Sequence, residues 1–323
     1  MNLSTKIEGL KTNNSIDYYS KLILVGSCFS DSIADKLSSH LFEVSSNPFG
    51  ISYNPLSITK NISRIIDQNT FREDEFIQDK ELWFHYDLHS SWSSTNLSNL
   101  TSELNAQIDK SHRELKQATH LFVTLGTAFV YELKSTKSIV SNCHKQKASL
   151  FEKRLLSISE IKQSIRELYL KLQEFNPDLK VIFTISPVRH QKDGLIENNR
   201  SKAHLRVALF DFLEEQSHCE YFPSYEILLD ELRDYRYYDR DLLHPNALAI
   251  DIIWERFVAL YMENNCIEDM KTAVSIVKAE NHKSFHPERQ EHRLFLNKNI
   301  QRKTEFYNKY PHLNVRKSYE SEN

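Results

Sequence analysis

The chain has 323 residues, of which 40% are hydrophobic and 26% charged, and its formal net charge is −3. This composition is typical of a globular protein with a large core, and the slightly acidic charge gives no general basis for binding nucleic acid. No apolar run approaches the ~18 residues of a membrane-spanning helix. Residues 1–20 lack an apolar signal region, and the four cysteines form no CxxC pair. We therefore expect a cytoplasmic protein with reduced thiols and no membrane partner.

Three short apolar runs rich in β-branched residues predict buried strands at 21–25 (KLILV), 120–125 (HLFVTL) and 180–185 (KVIFTI). Apolar residues at helical spacing lie between and after these runs. They predict helices over 57–68, 97–118, 157–175, 199–217 and 246–264. Strands that alternate with helices of this length indicate an α/β domain with a mostly parallel sheet. In such domains, ligands bind outside the carboxyl ends of the strands.

Two segments fit this alternation less well. Residues 70–95 alternate aromatic and histidine residues with polar ones, which favours a small hairpin or lid inserted in the domain. The charged sequence after residue 268 predicts a helical appendage with little core of its own. We therefore divide the chain into a domain over 1–267 and an extension over 268–323. The extension either packs along the domain surface or mediates self-association, and the sequence leaves the oligomeric state open.

The first predicted strand ends in Gly26-Ser27-Cys28, and apolar residues at helical spacing resume at Ile33. Ser27 therefore lies where the carboxyl end of a strand meets the N-terminus of a helix. Backbone N–H groups point outward at such a terminus and the helix dipole favours negative charge, which suits a nucleophile and an oxyanion. The alternatives are a serine that only caps the helix and a nucleophilic Cys28, because a helix N-terminus can activate a thiol.

A second chemical pattern is Asp241-x-x-His244 in the segment YDRDLLHPNALAIDIIW, just before the helix predicted at 246–264. A carboxylate at this spacing can hold an imidazole so that its second nitrogen faces a nucleophile. Together with Ser27, the pair indicates a Ser-His-Asp arrangement. The pattern alone is a weak signal, since the chain has 14 histidines and a helix entry also uses Asp and His for capping.

Longer phrases resemble the GSCFA-domain family, which is placed within the SGNH (GDSL-like) hydrolase superfamily. They run in the family's order from about residue 20 to 260: GSCFSDSIADKL, NPFGISYNPLSI, LWFHYDLHSSWS, THLFVTLGTAFVYE, IFTISPVRHQKDGL and YDRDLLHPNALAIDIIW. The resemblance implies a flavodoxin-like, three-layer α/β/α sandwich of about five parallel strands. It implies Ser27 as the nucleophile and Asp241 and His244 as its catalytic partners, with no metal or organic cofactor.

The resemblance also implies an oxyanion hole, in which the backbone N–H of Ser27 and that of Gly50 contribute. The superfamily usually has an asparagine in its third sequence block as a further donor. Here that block reads LGTAF, which leaves Thr127 after the glycine and no asparagine. Either the Thr127 hydroxyl or the amide of Asn142, in the segment SNCHK, is the candidate replacement. Because one oxyanion donor is worth roughly 10²–10³ in turnover, this departure bears on rate and substrate class.

His85, Asp87 and His89 suggest a metal site, since all three would share a face on a strand and the two histidines would share one on a helix. No further ligands at diagnostic spacing accompany them, and zinc sites need three or four. The alternative is that His89, with Trp83 or Trp92, lines a substrate pocket. We therefore expect no metal and place His89 among the substrate-binding candidates.

Arg189 and His190 follow the third predicted strand, at the edge where Ser27 is expected. They are candidates for recognising a carboxylate or a phosphate, and a solvated loop is an equal alternative. Asn198 and Asn199 share this ambiguity. The sequence thus predicts an esterase or acyltransferase that acts on an O-acyl ester of a small molecule or carbohydrate. The alternative is a ligand-binding module that keeps the pocket but has little catalysis.

Overall fold

The computed structural model describes residues 5–286 and 288–313. Its strands are β1 (Lys21–Gly26), β2 (Glu43–Ser46), β3 (Ile77–Asp79), β4 (Leu82–Phe84), β5 (His120–Leu125), β6 (Phe129–Leu133), β7 (Ile139–Val140), β8 (Phe151–Leu155), β9 (Lys180–Ile185) and β10 (Cys219–Tyr221). Its α-helices are α1 (Cys28–Ser39), α2 (Pro55–Ile66), α3 (Leu97–Gln117), α4 (Ile158–Phe175), α5 (Leu195–Leu213), α6 (Ser224–Glu226), α7 (Ala247–Tyr261), α8 (Asn264–Glu280) and α9 (Gln290–Lys309).

The centre of the molecule is a five-stranded, all-parallel sheet with the strand order β10-β9-β5-β1-β2. Counted within this sheet, the order is the flavodoxin-like 2-1-3-4-5 read from the opposite edge. The connection from β1 runs outward to β2 on one side, and the chain then crosses to β5 on the other. A crevice opens at such a switch point, between the carboxyl ends of β1 and β5. The predicted α/β class with a five-stranded parallel sheet is confirmed.

Alternate residues of the central strands enter two separate cores, as the period of a strand requires. Ile23 and Val25 of β1 pack with α2, α3, α4 and α5 on one face of the sheet. Leu22 and Leu24 pack with α1, α7 and α8 on the other face. The three-layer arrangement therefore follows from strands that are apolar on both faces.

The large helices begin and end close to their predicted bounds, with two informative differences. Helix α5 starts at Leu195, four residues before the predicted start. Gly194, which directly precedes it, has a positive φ of 84° and forms the junction with the preceding loop. The helix predicted over 246–264 ends at Tyr261, and α8 begins at Asn264 after a two-residue break.

Two small sheets lie outside the central one. The insert at 70–95 contains the expected hairpin, in which β3 and β4 pair antiparallel. A three-stranded antiparallel sheet of order β7-β6-β8 follows β5, and the sequence did not reveal it. Its strands mix exposed charged residues with aromatic ones, as in FEKRL of β8, so no continuous apolar run marks them.

The helices after residue 263 share the core of the α/β unit. Helix α8 buries Met270, Ala273 and Ile276 in the same cluster as α1 and α7. In α9, the ring of Phe306 lies edge-on to Tyr18, with 5.2 Å between the ring centroids. Between residues 264 and 309 the described chain is mainly helical, and residues 314–323, the end of the predicted extension, lie outside the described residues. Among the helices described here, none is both long enough and apolar enough to cross a bilayer.

Candidate active site

A cavity of about 830 Å³ opens at the carboxyl edge of the central sheet. Its wall combines the start of α1, the segments after β5 and β9, the small sheet β7-β6-β8 and the loop before α7. Predicted site residues contribute six of its side chains: His89, Thr127, Asn142, Arg189, His190 and His244. The fold therefore brings together segments that are separated by more than a hundred residues in the sequence.

Ser27 is the N-cap of α1 and is only 1% exposed. Its Oγ accepts a long hydrogen bond of 3.4 Å from the N–H of Phe29, and its own N–H donates to the carbonyl of Thr124 at 3.1 Å. Among the described residues of the cavity wall, Cys28 is present and Ser27 is not. Ser27 thus directly precedes a residue of the cavity wall, and it lies at a helix N-terminus, which favours negative charge.

Gly26 sets the geometry of this junction. Its φ is 121°, and a Cβ built there would lie 2.1 Å from the carbonyl oxygen of Thr124 on the neighbouring strand β5. A side chain is therefore excluded at this position for two separate reasons, strain in the backbone and collision with the sheet.

Cys28 follows Ser27 and lines the cavity with a half-buried side chain. Burial raises the pKa of its thiol above the ordinary value, and the nearby Asp31 raises it further. The N–H groups of Cys28 and Phe29 reach the sulfur and act in the opposite direction, but they do not outweigh burial. Because the thiolate is the reactive form of cysteine, this environment disfavours Cys28 as a nucleophile.

His244 and Asp241 form a direct side-chain pair. The distance between His244 Nδ1 and Asp241 Oδ2 is 2.5 Å, and the other carboxylate oxygen accepts the N–H groups of Leu243 and His244 at 2.9 and 3.0 Å. These hydrogen bonds lower the pKa of Asp241 to about 2. The bond from the His244 N–H has the largest effect, followed by those from the His244 ring and the Leu243 N–H. The carboxylate is therefore ionised at neutral pH and fixes the orientation of the ring, as the DxxH spacing predicted.

The loop that carries this pair is closed by its own backbone. The N–H of Asp239 donates to the carbonyl of His244 at 2.8 Å, and Tyr238 forms a bridge with Pro245. Asn246 then caps α7 by accepting from the N–H of Ala249. Capping thus falls to Asn246, which leaves Asp241 free to serve the imidazole.

Each predicted oxyanion donor already has a hydrogen-bond partner. The Ser27 N–H donates to the carbonyl of Thr124, and the Gly50 N–H donates to the carbonyl of Asn47 at 2.7 Å. The Thr127 hydroxyl pairs with the Ser201 hydroxyl at 3.0 Å, and the Asn142 amide donates to Ser90 Oγ at 3.0 Å. Thr127 and Asn142 line the cavity; in the part of its wall that the structure describes, Gly50 is absent. The oxyanion roles of these residues stay predictions.

A family model described as the GSCFA family matches residues 21–257, more than half of the chain. The chain belongs to the GSCFA family. A second model, described as the C-terminal domain of GSCFA domain proteins, matches residues 274–321. No curated protein matches this GSCFA chain significantly.

Among solved structures, this GSCFA protein is similar to an acetyl xylan esterase, Est2A, from the rumen bacterium Butyrivibrio proteoclasticus. The TM-score is 0.40 and the sequence identity 11%, over 76% of this chain. The match spans 64% of the length of that esterase, so part of the esterase has no counterpart here.

The predicted binding residues of the GSCFA protein all line the cavity. Arg189 donates from Nη1 to the hydroxyl of Tyr238 at 3.3 Å, and no carboxylate among residues 5–286 and 288–313 pairs with its guanidinium. The N–H of His190 donates to Asn198 Oδ1 at 2.9 Å, and burial lowers the pKa of its ring to about 4. His190 is therefore a neutral wall residue and Arg189 an available cation.

Gly50 packs closely against the side chain of His89, which lines the cavity. The glycine has a φ of 78°, and a Cβ there would lie 2.3 Å from the Cβ of His89. Trp83 and Trp92, the aromatic residues expected beside His89, instead pack against the hydrophobic core. Gly50 thus has a packing reason for being glycine, independent of any role of its N–H group.

His85 and Asp87 are buried residues of the insert, and they make polar contacts within it and with α2. Asp87 pairs with Lys60 at 2.7 Å, and His85 Nε2 lies 3.7 Å from Glu75. Burial lowers the pKa of His85 to about 4. His89 bonds instead to Ser91. Within the described chain, no group of three or more His, Cys, Asp or Glu side chains is arranged to hold a metal ion.

Lys202 is the residue that sequence reasoning missed. Its ammonium is buried at the carboxyl edge of the sheet and donates to the carbonyls of Gly126 and Ser186. A signal existed, because Lys202, Leu205 and Leu209 share one face of α5 at helical spacing. A lysine on an otherwise apolar helix face is unusual, because lysine is rarely buried without a partner.

Proposed function

We propose that this GSCFA protein is an SGNH-type serine esterase or acyltransferase that acts on an O-acyl ester of a small molecule or a carbohydrate. One observation carries the proposal. The imidazole of His244, held by the ionised Asp241, faces a cavity whose wall also contains Cys28, the residue next to Ser27. Acyl transfer through serine requires a hydroxyl nucleophile and a base oriented by a carboxylate, and the proposal gives these roles to Ser27 at the helix N-terminus and to His244.

The reaction would proceed in two halves. His244 Nε2 takes the proton of Ser27 while Oγ forms a bond to the ester carbonyl carbon, and Asp241 stabilises the resulting imidazolium. The tetrahedral oxyanion lies at the first turn of α1, where the helix dipole and backbone N–H groups favour negative charge. The C–O bond then breaks, and the leaving alcohol takes the proton from His244. Water or an acceptor alcohol removes the acyl group by the reverse sequence.

The wall of the cavity suggests where the rest of the substrate would lie. Its volume of about 830 Å³ lies within the range of small-molecule sites. Arg189 offers a guanidinium without an ion-pair partner in the described chain, which suits a carboxylate or phosphate on the substrate. At the same wall, His190 supplies a neutral polar contact and His89 supplies a second imidazole.

A fluorophosphonate probe followed by peptide mapping tests the mechanism directly. We expect the folded protein to be labelled at Ser27, and we expect labelling and hydrolysis of 4-nitrophenyl acetate to be lost in Ser27→Ala. Cys28→Ser is the matched control on the neighbouring residue and should retain both. Absence of labelling in the folded wild-type protein, or loss of activity in Cys28→Ser alone, contradicts the proposal.

A binding module with little catalysis is the second candidate, and one observation favours it. Ser27 is 1% exposed, and its N–H is already bonded to Thr124. A screen of acylated sugars and carboxylate esters by calorimetry separates the two functions. A ligand bound equally by wild type and Ser27→Ala, with no turnover in either, would favour the binding module.

A further inference from the structure

Lys202 is a buried lysine without a carboxylate partner in the described chain. It is 1% exposed, and its Nζ donates to the carbonyl of Gly126 at 2.6 Å and to that of Ser186 at 2.7 Å. Each carbonyl belongs to the first residue after a central strand, β5 and β9 respectively. Burial of an ammonium against uncharged groups is unfavourable, and such groups are concentrated at functional sites.

The two carbonyls belong to the cavity wall. Ser186 lines the cavity, and so does Thr127, the residue after Gly126. The neighbouring Ser201 holds the same turn, since its Oγ accepts the N–H of Ala128 at 2.7 Å. Lys202 therefore joins the ends of β5 and β9, and the preceding Ser201 holds the turn after β5.

The ammonium also lies near the start of α1, because it bonds Gly126 directly after β5, and Thr124 of the same strand accepts the N–H of Ser27. Burial lowers the pKa of Lys202 to about 7; Cys28 raises it, and the guanidinium of Arg189 lowers it. In return, Lys202 lowers the pKa of Cys28 and of His190. The ring of Tyr225 also faces it, with its centroid 5.9 Å from Nζ. Among the described residues, the titratable groups around Lys202 thus include a thiol, an imidazole, a phenol and a further cation.

We propose that Lys202 is a positioning residue of the site: its ammonium fixes the turns after β5 and β9 and supplies a positive field at the first turn of α1, beside Ser27. The predicted donor there, the Ser27 N–H, is bonded to Thr124, so a nearby buried cation would add to the stabilisation that the helix dipole and the other N–H groups of the first turn give an oxyanion. The catalytic part of this inference rests on the proposed function, whereas the electrostatic part does not.

The electrostatic part is tested by alkylation of the cysteines with iodoacetamide at pH 7, followed by peptide mapping. Lys202→Met removes the charge and both hydrogen bonds. Lys202→Gln removes the charge but keeps an amide donor, and Lys202→Arg keeps the charge. We expect the rate at Cys28 to fall about three- to tenfold in the Met and Gln variants and to remain near wild type in the Arg variant.

Cys143 is the internal control, because it lines the same cavity and burial alone raises its pKa, to about 11. Its rate should not change in any variant. An unchanged Cys28 rate in both uncharged variants, or equal changes at Cys28 and Cys143, overturns the inference. Thermal melts identify a variant that does not fold, and the remaining variants then decide the outcome.

The catalytic part is tested by the pH dependence of ester hydrolysis. As Lys202 loses its proton, wild-type kcat should fall above pH about 7, while Lys202→Arg should lack this alkaline decrease. Lys202→Met should lower kcat about tenfold or more with little change in KM. An alkaline decrease that is identical in wild type and Lys202→Arg contradicts the catalytic part. If the wild type shows no Ser27-dependent turnover, the proposed function fails, and the alkylation result still decides the electrostatic part.

Discussion

At the scale of single residues, the candidate chemistry depends on how tightly a few side chains are held. The Asp241 carboxylate accepts hydrogen bonds from the His244 ring and from two backbone N–H groups. This local arrangement was predictable, because the pair is three residues apart in one loop. The contact between His85 and Glu75 was not predictable, because the two residues are ten positions apart and only folding brings their side chains close.

Replacing Asp241 with Asn should lower kcat by on the order of 10³-fold with little change in KM. The amide cannot stabilise the imidazolium, and it can bind the unwanted tautomer of His244. Asp239→Asn, two residues away in the same loop, is the matched control and should remain near wild type. Hydrolysis of 4-nitrophenyl acetate measures both. Equal losses in the two variants would indicate a general disturbance of the loop.

Replacing Gly26 with Ala should lower the free energy of unfolding by about 3 kcal/mol or more, because strain at positive φ adds to a collision with Thr124. Gly9→Ala is the control, since Gly9 also has a positive φ but has open space around its Cα. We expect it to cost about 1 kcal/mol. Urea denaturation of both variants gives the comparison, and similar values would show that the collision is relieved.

At the scale of elements, the sequence predicted the long helices and the buried central strands. It missed the edge strands of the central sheet and the small sheet β7-β6-β8. Strands β1, β5 and β9 were recognisable because they are apolar on both faces. The edge strands β2 (EVSS) and β10 (CEY) are half-buried and lack such a pattern, so only the resemblance implied a sheet of about five strands. The sheet β7-β6-β8, which forms part of the cavity wall, was missed for the same reason.

Helix α9 provides an element-scale prediction, because its two ends differ in burial. Phe306 is buried against Tyr18, whereas Phe295 on the same helix is 39% exposed. Phe306→Ala should lower the free energy of unfolding by about 3–5 kcal/mol, and Phe295→Ala by about 1 kcal/mol or less. Chemical denaturation measures both. Equal small effects would show that α9 adds little to the stability of the core.

At the scale of the whole molecule, three buried histidines should make the folded protein less stable at acidic pH. Burial lowers the pKa of His85, His120 and His190 to about 4. These folded-state values lie below the unfolded value near 6.5, so the unfolded chain binds more protons between pH 4 and 6.5. Stability should therefore fall as the pH decreases through that window, and the full loss is present below pH 4.

Urea denaturation at pH 7 and pH 5 tests this expectation. The wild-type free energy of unfolding should decrease, and His120→Gln should reduce that decrease by about 1–2 kcal/mol. His218→Gln, in the exposed turn before β10, is the control and should show the wild-type decrease. An identical decrease in wild type and His120→Gln would place the acid sensitivity in other groups.

The placement of α9 also bears on how the protein is made. Tyr18 stacks on Phe42 and contacts Tyr310, and its carbonyl bonds to His312 Nε2 at 2.8 Å. A ribosome completes Tyr18 long before it reaches residues 306–312. The emerging chain therefore leaves this side of the Tyr18 ring uncovered until residues 306–312 have been added and have folded against it.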